Sequence, residues 1–218
     1  MEQNDETLRV HAIVKRTTVL GPGERFALWL QGCEKNCPSC MSSSARDKRG
    51  GTLIRVSEIL QSILSEKGLE GITISGGEPF LQYRALYNFL KQLREQSRLG
   101  VILYTGYYLD ELRGMNNPEI HAITAKLSDI IIDGPYLEEL SDGKPLRGSS
   151  NQTIHLTSKR YARIYPDIYG QPGRKCEIHL NNKEAFLVGI PDEHGYKVWQ
   201  NIIAAVGRAA KPVLGDMY

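Results

Sequence analysis

Three of the four cysteines in this 218-residue chain, Cys33, Cys37 and Cys40, stand within eight residues of one another. Thiolate is the donor that iron–sulfur clusters and soft metals select. Gly32 and Pro38 suit a loop that turns tightly. Three thiolates on such a loop can wrap a cubane [4Fe–4S] cluster and leave one iron without a protein ligand. An open metal position is where substrate chemistry happens, as at open zinc sites. The same spacing also suits a structural zinc site, with a distant His or Cys176 as the fourth ligand. In a reducing compartment, clustered thiols are metal-binding or catalytic more often than disulfide-bonded.

Other candidates lie where strands are predicted to end. Ser75-Gly76-Gly77-Glu78-Pro79 follows the apolar run Ile72-Thr73-Ile74. Glycines let a backbone approach a ligand closely, and a carboxylate or a carbonyl can accept from an ammonium. The stretch also reads as a generic turn. Asp133 closes another apolar run, where it accepts from ribose hydroxyls or caps the next turn. Thr105-Gly106 offers a close approach to a ligand or a simple strand end. Asn151 suits a ribose or carboxylate, or a loop-stabilising bond. The Arg147 fork suits a carboxylate. Cys176 and His179 have a metal-binding spacing but no second pair, and a small buried cysteine is the commoner reading. The five histidines are scattered and none adjoins an obvious nucleophile.

The elements that must position these residues alternate. Extended runs are predicted at Leu8–Val19, Phe26–Gln31, Ile72–Ile74, Val101–Tyr104, Asp129–Asp133 and Thr153–Leu156. Helical spacing marks Val56–Leu64, Tyr83–Gln96, a stretch at Leu109–Leu127 broken by Gly114 and Pro118, and Tyr196–Arg208. Alternation of this kind argues for βα units and a parallel sheet, with ligands at the carboxyl ends of the strands. The cysteine loop (Gly32 to about Gly51), the Gly-Gly-Glu turn, Thr105-Gly106 and Asp133-Gly134 would then share one rim. Past Thr157 the pattern loosens. Phe186–Ile190 reads as a strand, and the polar, Tyr-rich Tyr161–Lys175 makes a continuous helix doubtful because of Pro166.

Composition limits the classes. Apolar and cysteine residues make 41% and charged residues 24%, ordinary values for a soluble globular protein. The net charge of +2, from 27 basic and 25 acidic residues, argues against a nucleic-acid binder. No run approaches the roughly 20 apolar residues of a membrane span. The polar, acidic start is unlike a signal peptide, so the expected compartment is the cytoplasm.

Cys33-x3-Cys37-x2-Cys40 with the later Gly76-Gly77-Glu78-Pro79 resembles the radical S-adenosylmethionine (SAM) superfamily. Gly21-Pro22-Gly23-Glu24-Arg25 ahead of Leu30-Gln31-Gly32-Cys33 resembles its activating enzymes for glycyl-radical proteins, as do Leu103–Tyr107 and Ile132–Tyr136. Arg147–Gln152 resembles a segment of the anaerobic ribonucleotide reductase activators. The resemblance covers about Gly21 to Ile154. It implies an α/β fold, an incomplete (β/α)6-type partial barrel of the radical SAM type. Residues 1–218 would form a single radical SAM domain, with 157–218 as a C-terminal extension or a docking element for partner or substrate. It implies Cys33, Cys37 and Cys40 as cluster ligands. Ser75, Gly76, Gly77, Glu78, Thr105, Gly106, Asp133 and Asn151 would contact SAM.

The activity implied is reductive cleavage of SAM at a [4Fe–4S] cluster to a 5′-deoxyadenosyl radical, which takes hydrogen from a glycine of an anaerobic ribonucleotide reductase. A low-potential donor such as flavodoxin or ferredoxin would supply the electron; no membrane or nucleic acid is expected. The alternatives are radical SAM modification of a peptide or small molecule, and a non-enzymatic iron–sulfur or zinc sensor. Two departures from the family stand out. Ser39 replaces an aromatic residue that many members carry before the third cysteine. The tail beyond Leu156 exceeds the short form of the activators.

Overall fold

The computed structural model describes residues 5–170, 173–180 and 185–206. A seven-stranded sheet runs in the order β3-β1-β2-β4-β5-β6-β7. Its strands are β1 (Thr7–Thr17), β2 (Arg25–Leu30), β3 (Thr52–Arg55), β4 (Gly71–Gly76), β5 (Gly100–Tyr104), β6 (Ile130–Asp133) and β7 (Thr153–Leu156). Four central strands, β2, β4, β5 and β6, are parallel neighbours. The flanking strands β1, β3 and β7 pair antiparallel, so the expected parallel sheet is mixed. The reason at one side is length. Only seven residues, 18–24, join β1 to β2, too few for the crossover a parallel pair needs.

Helices α1 (Val56–Ser65), α2 (Tyr83–Gln96), α3 (Leu109–Gly114) and α4 (Pro118–Ala122) follow β3, β4 and β5. Gly114 and Pro118 break the third helical stretch where the sequence suggests. Asn117 caps α4 by accepting from the N–H groups of Glu119 and Ile120. One face of the sheet, through Phe26, Leu28, Leu30, Ile72, Ile74, Val101, Leu103 and Ile131, packs against these helices in the main core. Every residue of β2 is buried, as expected for a strand covered on both faces.

The other face carries Ala27 and Trp29, with Val14, Leu20 and Val188 packed on them, and Ile102, Ile130 and Ile132, with Leu146 and Tyr161. The chain after β7 therefore covers the sheet. It forms α5 (Tyr165–Gly170), the antiparallel hairpin β8 (Cys176–Leu180) and β9 (Ala185–Gly189), and α6 (Glu193–Val206). Pro166 falls in the first turn of α5, where its missing N–H breaks no helical bond. Tyr165 and Tyr169 stack there at 5.5 Å, while Tyr161 lies outside that helix. Arg208, the predicted end of α6, lies outside the described residues. Among the described residues no helix is long and apolar enough to cross a membrane.

Candidate cluster and cofactor site

The cysteine loop leaves β2 at Gly32, whose φ of +98° turns the chain off the sheet. Its neck is pinched: Gly32 N–H donates to the Ala45 carbonyl (2.7 Å) and Cys33 N–H to that of Arg46 (3.1 Å). The Gln31 side-chain amide adds bonds to the carbonyls of Ser44 and Asp47. Inside the loop, the Cys33 sulfur accepts from Lys35 N–H at 3.3 Å, and the Arg46 guanidinium donates to the Cys37 carbonyl. Ser39 sits at φ +54°, a conformation that suits small polar residues better than an aromatic. Its hydroxyl donates to Glu138 at 2.6 Å, tying the loop to the far side of the cavity.

The Gly-Gly-Glu turn is locked to that neck. β4 runs in parallel register with β2, Ser75 beside Trp29 and Gly76 beside Leu30. Beyond the register, Gly77 N–H donates to the Leu30 carbonyl and Glu78 N–H to that of Gly32, both at 2.8 Å. The Glu78 carboxylate is buried and accepts from Phe80 N–H (3.0 Å), the Thr105 hydroxyl (2.9 Å) and Gly106 N–H (2.8 Å). Burial pushes its pKa up, and those three bonds oppose the shift. Glu78 thus clamps the end of β4 to the end of β5.

Cys33, Cys37, Cys40, Ser75, Gly76, Gly77, Glu78, Thr105 and Gly106 all line one cavity of about 150 Å³ at this edge of the sheet. Two other candidates stand behind the wall. Asp133 accepts from Leu109 N–H (2.7 Å) and Thr153 N–H (3.1 Å), and His155 Nε2 lies 3.0 Å away. Asn151 donates from its amide to the Pro135 carbonyl at 2.7 Å. Their neighbours Gly134, Pro135 and Gln152 face the cavity instead. Arg147 pairs with Asp142, so its fork already holds a carboxylate.

Sequence reasoning did not single out Leu20, Lys35 and Arg46, which also line the cavity, and held Tyr104 and Tyr136 only within resembling segments. They share no motif or spacing; the fold alone brings them together. Gln152 had been noted only within a resembling segment. It receives Gly148 N–H at 2.7 Å and donates to the Gly134 carbonyl at 2.9 Å, holding two loops together.

The donor set suits a cluster and an amino-acid ligand. All four cysteines are free thiols. Burial pushes the Cys33 thiol up to about 11, with Glu78 and the other two loop cysteines adding to the rise. A cationic metal core reverses that balance and holds the thiolate. Among the described residues no three His, Cys, Asp or Glu side chains gather around a single ion. Cys33, Cys37 and Cys40 would instead supply one thiolate each to a cluster. The N–H groups of Gly77 and Glu78 are bound to β2 and the loop neck, and the Glu78 carbonyl accepts from Leu81 N–H at 3.1 Å.

The family profile of the 4Fe-4S single cluster domain matches residues 19–155. The chain is 31% identical over 141 residues to the anaerobic ribonucleoside-triphosphate reductase-activating protein of Enterobacteria phage T4, covering 62% of this chain and 86% of that one. The protein of the same name from Escherichia coli K12 is 29% identical over 145 residues, 63% of this chain and 91% of its own. The pyruvate formate-lyase-activating enzyme of Clostridium pasteurianum is 33% identical over 104 residues, 45% and 44% of the two chains. The matched region holds the cysteine loop and the Gly-Gly-Glu turn, and so the chain belongs to the 4Fe-4S single cluster domain family, as a radical SAM enzyme of the glycyl-radical-activating type whose cofactors are a [4Fe–4S] cluster and SAM.

Proposed function

We propose that this enzyme activates a glycyl-radical protein, an anaerobic ribonucleotide reductase, by generating a radical on one of its glycines. The observation that carries the reading is the single cavity shared by the three loop cysteines and the Ser75–Glu78 turn, in a chain whose relatives carry that activity in their names. When bound, the reduced cluster and SAM supply one-electron cleavage of the sulfonium to methionine and a 5′-deoxyadenosyl radical, which takes one hydrogen atom from the glycine Cα and leaves 5′-deoxyadenosine. The electron comes from a low-potential donor such as flavodoxin or ferredoxin.

The protein's own work is positioning and exclusion. Cys33, Cys37 and Cys40 are the cluster ligands. Ser75, Gly76 and Gly77 hold the methionine amino group through their carbonyls. Glu78 acts by fixing Thr105 and Gly106, whose strand end forms the next part of the wall. Asp133 and Asn151 shape the site by holding the loops around Gly134 and Pro135. The mixed sheet is read as an incomplete (β/α)6-type barrel, residues 1–218 as one radical SAM domain with 157–218 as its extension, and the cytoplasm as its compartment.

The test is anaerobic reconstitution with the glycyl-radical protein of the same genome, followed by electron paramagnetic resonance. A doublet from a glycine Cα radical is expected, together with 5′-deoxyadenosine, and both should vanish with Cys37→Ala. One observation favours a second reading, radical modification of a peptide or small molecule: Gly189 and Ile190, beyond the matched family region, also line the cavity. Release of 5′-deoxyadenosine with a new bond in a peptide or metabolite, and no doublet, would select it.

A further inference from the structure

The chain beyond residue 155 lies outside the matched family region, yet three attachments seat it on the sheet. Val188 is fully buried against Val14, Leu20, Ala27 and Trp29. The Glu177 carboxylate accepts from the Thr17 hydroxyl (2.7 Å) and from the N–H (2.9 Å) and hydroxyl (2.5 Å) of Thr18. Tyr161 packs on Ile102 and Ile130 and meets the Arg25 guanidinium at 3.1 Å. At the end of β9, a Cβ on Gly189 would stand 3.1 Å from Val19 Cγ2, so the open end of the hairpin is close against the β1–β2 turn.

This segment builds a second cavity of about 440 Å³, within the range of ligand sites. Ile164, Asp167, Arg174 and Ile190 come from the segment, and Leu20, Tyr104 and Leu146 from the older walls. Leu20, Tyr104 and Ile190 line both cavities and so stand at their junction. Tyr104 is fixed there by its hydroxyl, which donates to the Leu146 carbonyl at 2.7 Å. The walls mix apolar side chains with Asp167, Lys175 and Arg174, whose guanidinium donates to neutral oxygens of Lys144, Ser141 and Gly148. An extended main chain, with donors and acceptors in alternation, fits such a lining.

We infer that the segment after β7 is the specificity-determining wall of the reaction site. It seats an extended strip of the partner polypeptide in the 440 Å³ cavity and admits to the cysteine rim only a residue slim enough to pass Leu20, Tyr104 and Ile190. The inference rests on the glycyl-radical reading for the identity of its occupant. Hydrogen transfer needs the reacting atoms about 3–3.5 Å apart. A residue without a side chain brings its Cα–H that close through a narrow junction, and a bulkier one is stopped.

The test uses the full chain and a peptide carrying the partner's radical glycine. Ile164→Trp narrows the 440 Å³ cavity from a wall that the cysteine cavity does not share. It should keep iron content, SAM binding and partner-free SAM cleavage within about twofold, while peptide affinity of the metal-free chain and glycyl doublet yield each fall about tenfold or more, a loss of about 1.4 kcal/mol in binding. Ile190→Ala, which removes volume and introduces no clash, should relax selection. Its preference for small residues over leucines beside the glycine should fall about threefold or more, a modest change in differential affinity. A wild-type doublet matched by Ile164→Trp, with selection unchanged in Ile190→Ala, overturns the wall. A wild type that cleaves SAM but yields no doublet, and binds the peptide no better than a glycine-free control, overturns the glycyl-radical reading and removes the occupant with it.

Discussion

At the residue scale, Gly77 joins two functions that the sequence presents separately. An added Cβ would stand 2.2 Å from the Gly32 carbonyl oxygen and 2.9 Å from that of Ala45, both backbone atoms at the neck of the cysteine loop. Overpacking of this kind costs about 1–3 kcal/mol. Gly77→Ala should therefore weaken SAM binding and also lower iron content after reconstitution, whereas Gly114→Ala, with open space around it, should change neither. Isothermal titration and iron analysis read both; a Gly77→Ala protein with full iron and weak SAM binding would uncouple the turn from the loop.

The cysteines themselves make a simpler prediction. Ser at position 33, 37 or 40 should lose the [4Fe–4S] absorbance, because a hydroxyl is a poor substitute for a soft thiolate. Cys176→Ala should keep it, since Cys176 opens β8 and is absent from the cavity lining. These ligand candidates were legible because three thiols on one loop form a local pattern. The steric role of Gly77 was not, because it depends on a contact with Gly32, 45 residues earlier in the chain.

At the scale of elements, the site depends on strand ends held in register, and buried polar residues hold them. In the sequence Arg25 stands only within the Gly21–Arg25 segment that resembles the activating enzymes. In the fold it opens β2 fully buried, and its guanidinium donates to the Thr73 and Tyr161 hydroxyls and to the carbonyls of Pro22, Ile72 and Gly100. Gly71 and Gly100 begin the neighbouring strands because side chains there would meet Arg25 and Tyr161. No periodicity announces such a residue, since its partners come from four separate segments.

Asp129 does similar work beside β6. It accepts from Arg94 of α2 (2.6 Å), Val101 N–H of β5 (2.8 Å) and Ser158 of the segment after β7 (2.6 Å). Burial works against its charge, but these bonds outweigh it and hold the carboxyl below its ordinary value of 3.8. Asp129→Asn should cost about 2 kcal/mol, or about 4–8 °C in Tm for a chain of this size. The sign follows from the depressed pKa. The stabilisation is present in full above the unfolded value and is lost as pH falls through the lower folded value. The difference between wild type and Asp129→Asn should thus shrink in acid; a gap that stays constant would assign the loss to packing.

At the scale of the whole molecule, the described chain divides into a core read easily from sequence and a cover read only in part, at β9 and α6. The βα alternation from Phe26 to Asp133 was legible because hydrophobic period and turn residues agree there. The cover lacks that agreement: the alternation of β8 spans only five residues, and α5 begins Tyr165-Pro166. A two-stranded hairpin is marginal on its own, so β8–β9 holds its place through docking, with Val188 on the sheet and Leu187 against Trp199 of α6. Val188→Ala should remove about 2 kcal/mol of that docking. Amide exchange should then quicken in residues 176–180 and 185–189 while β2, β4 and β5 keep their protection, because opening of the cover leaves the helix-side core intact. Equal acceleration in β4 would mean that cover and core open as one unit, and the hairpin could not then move independently of the cysteine loop.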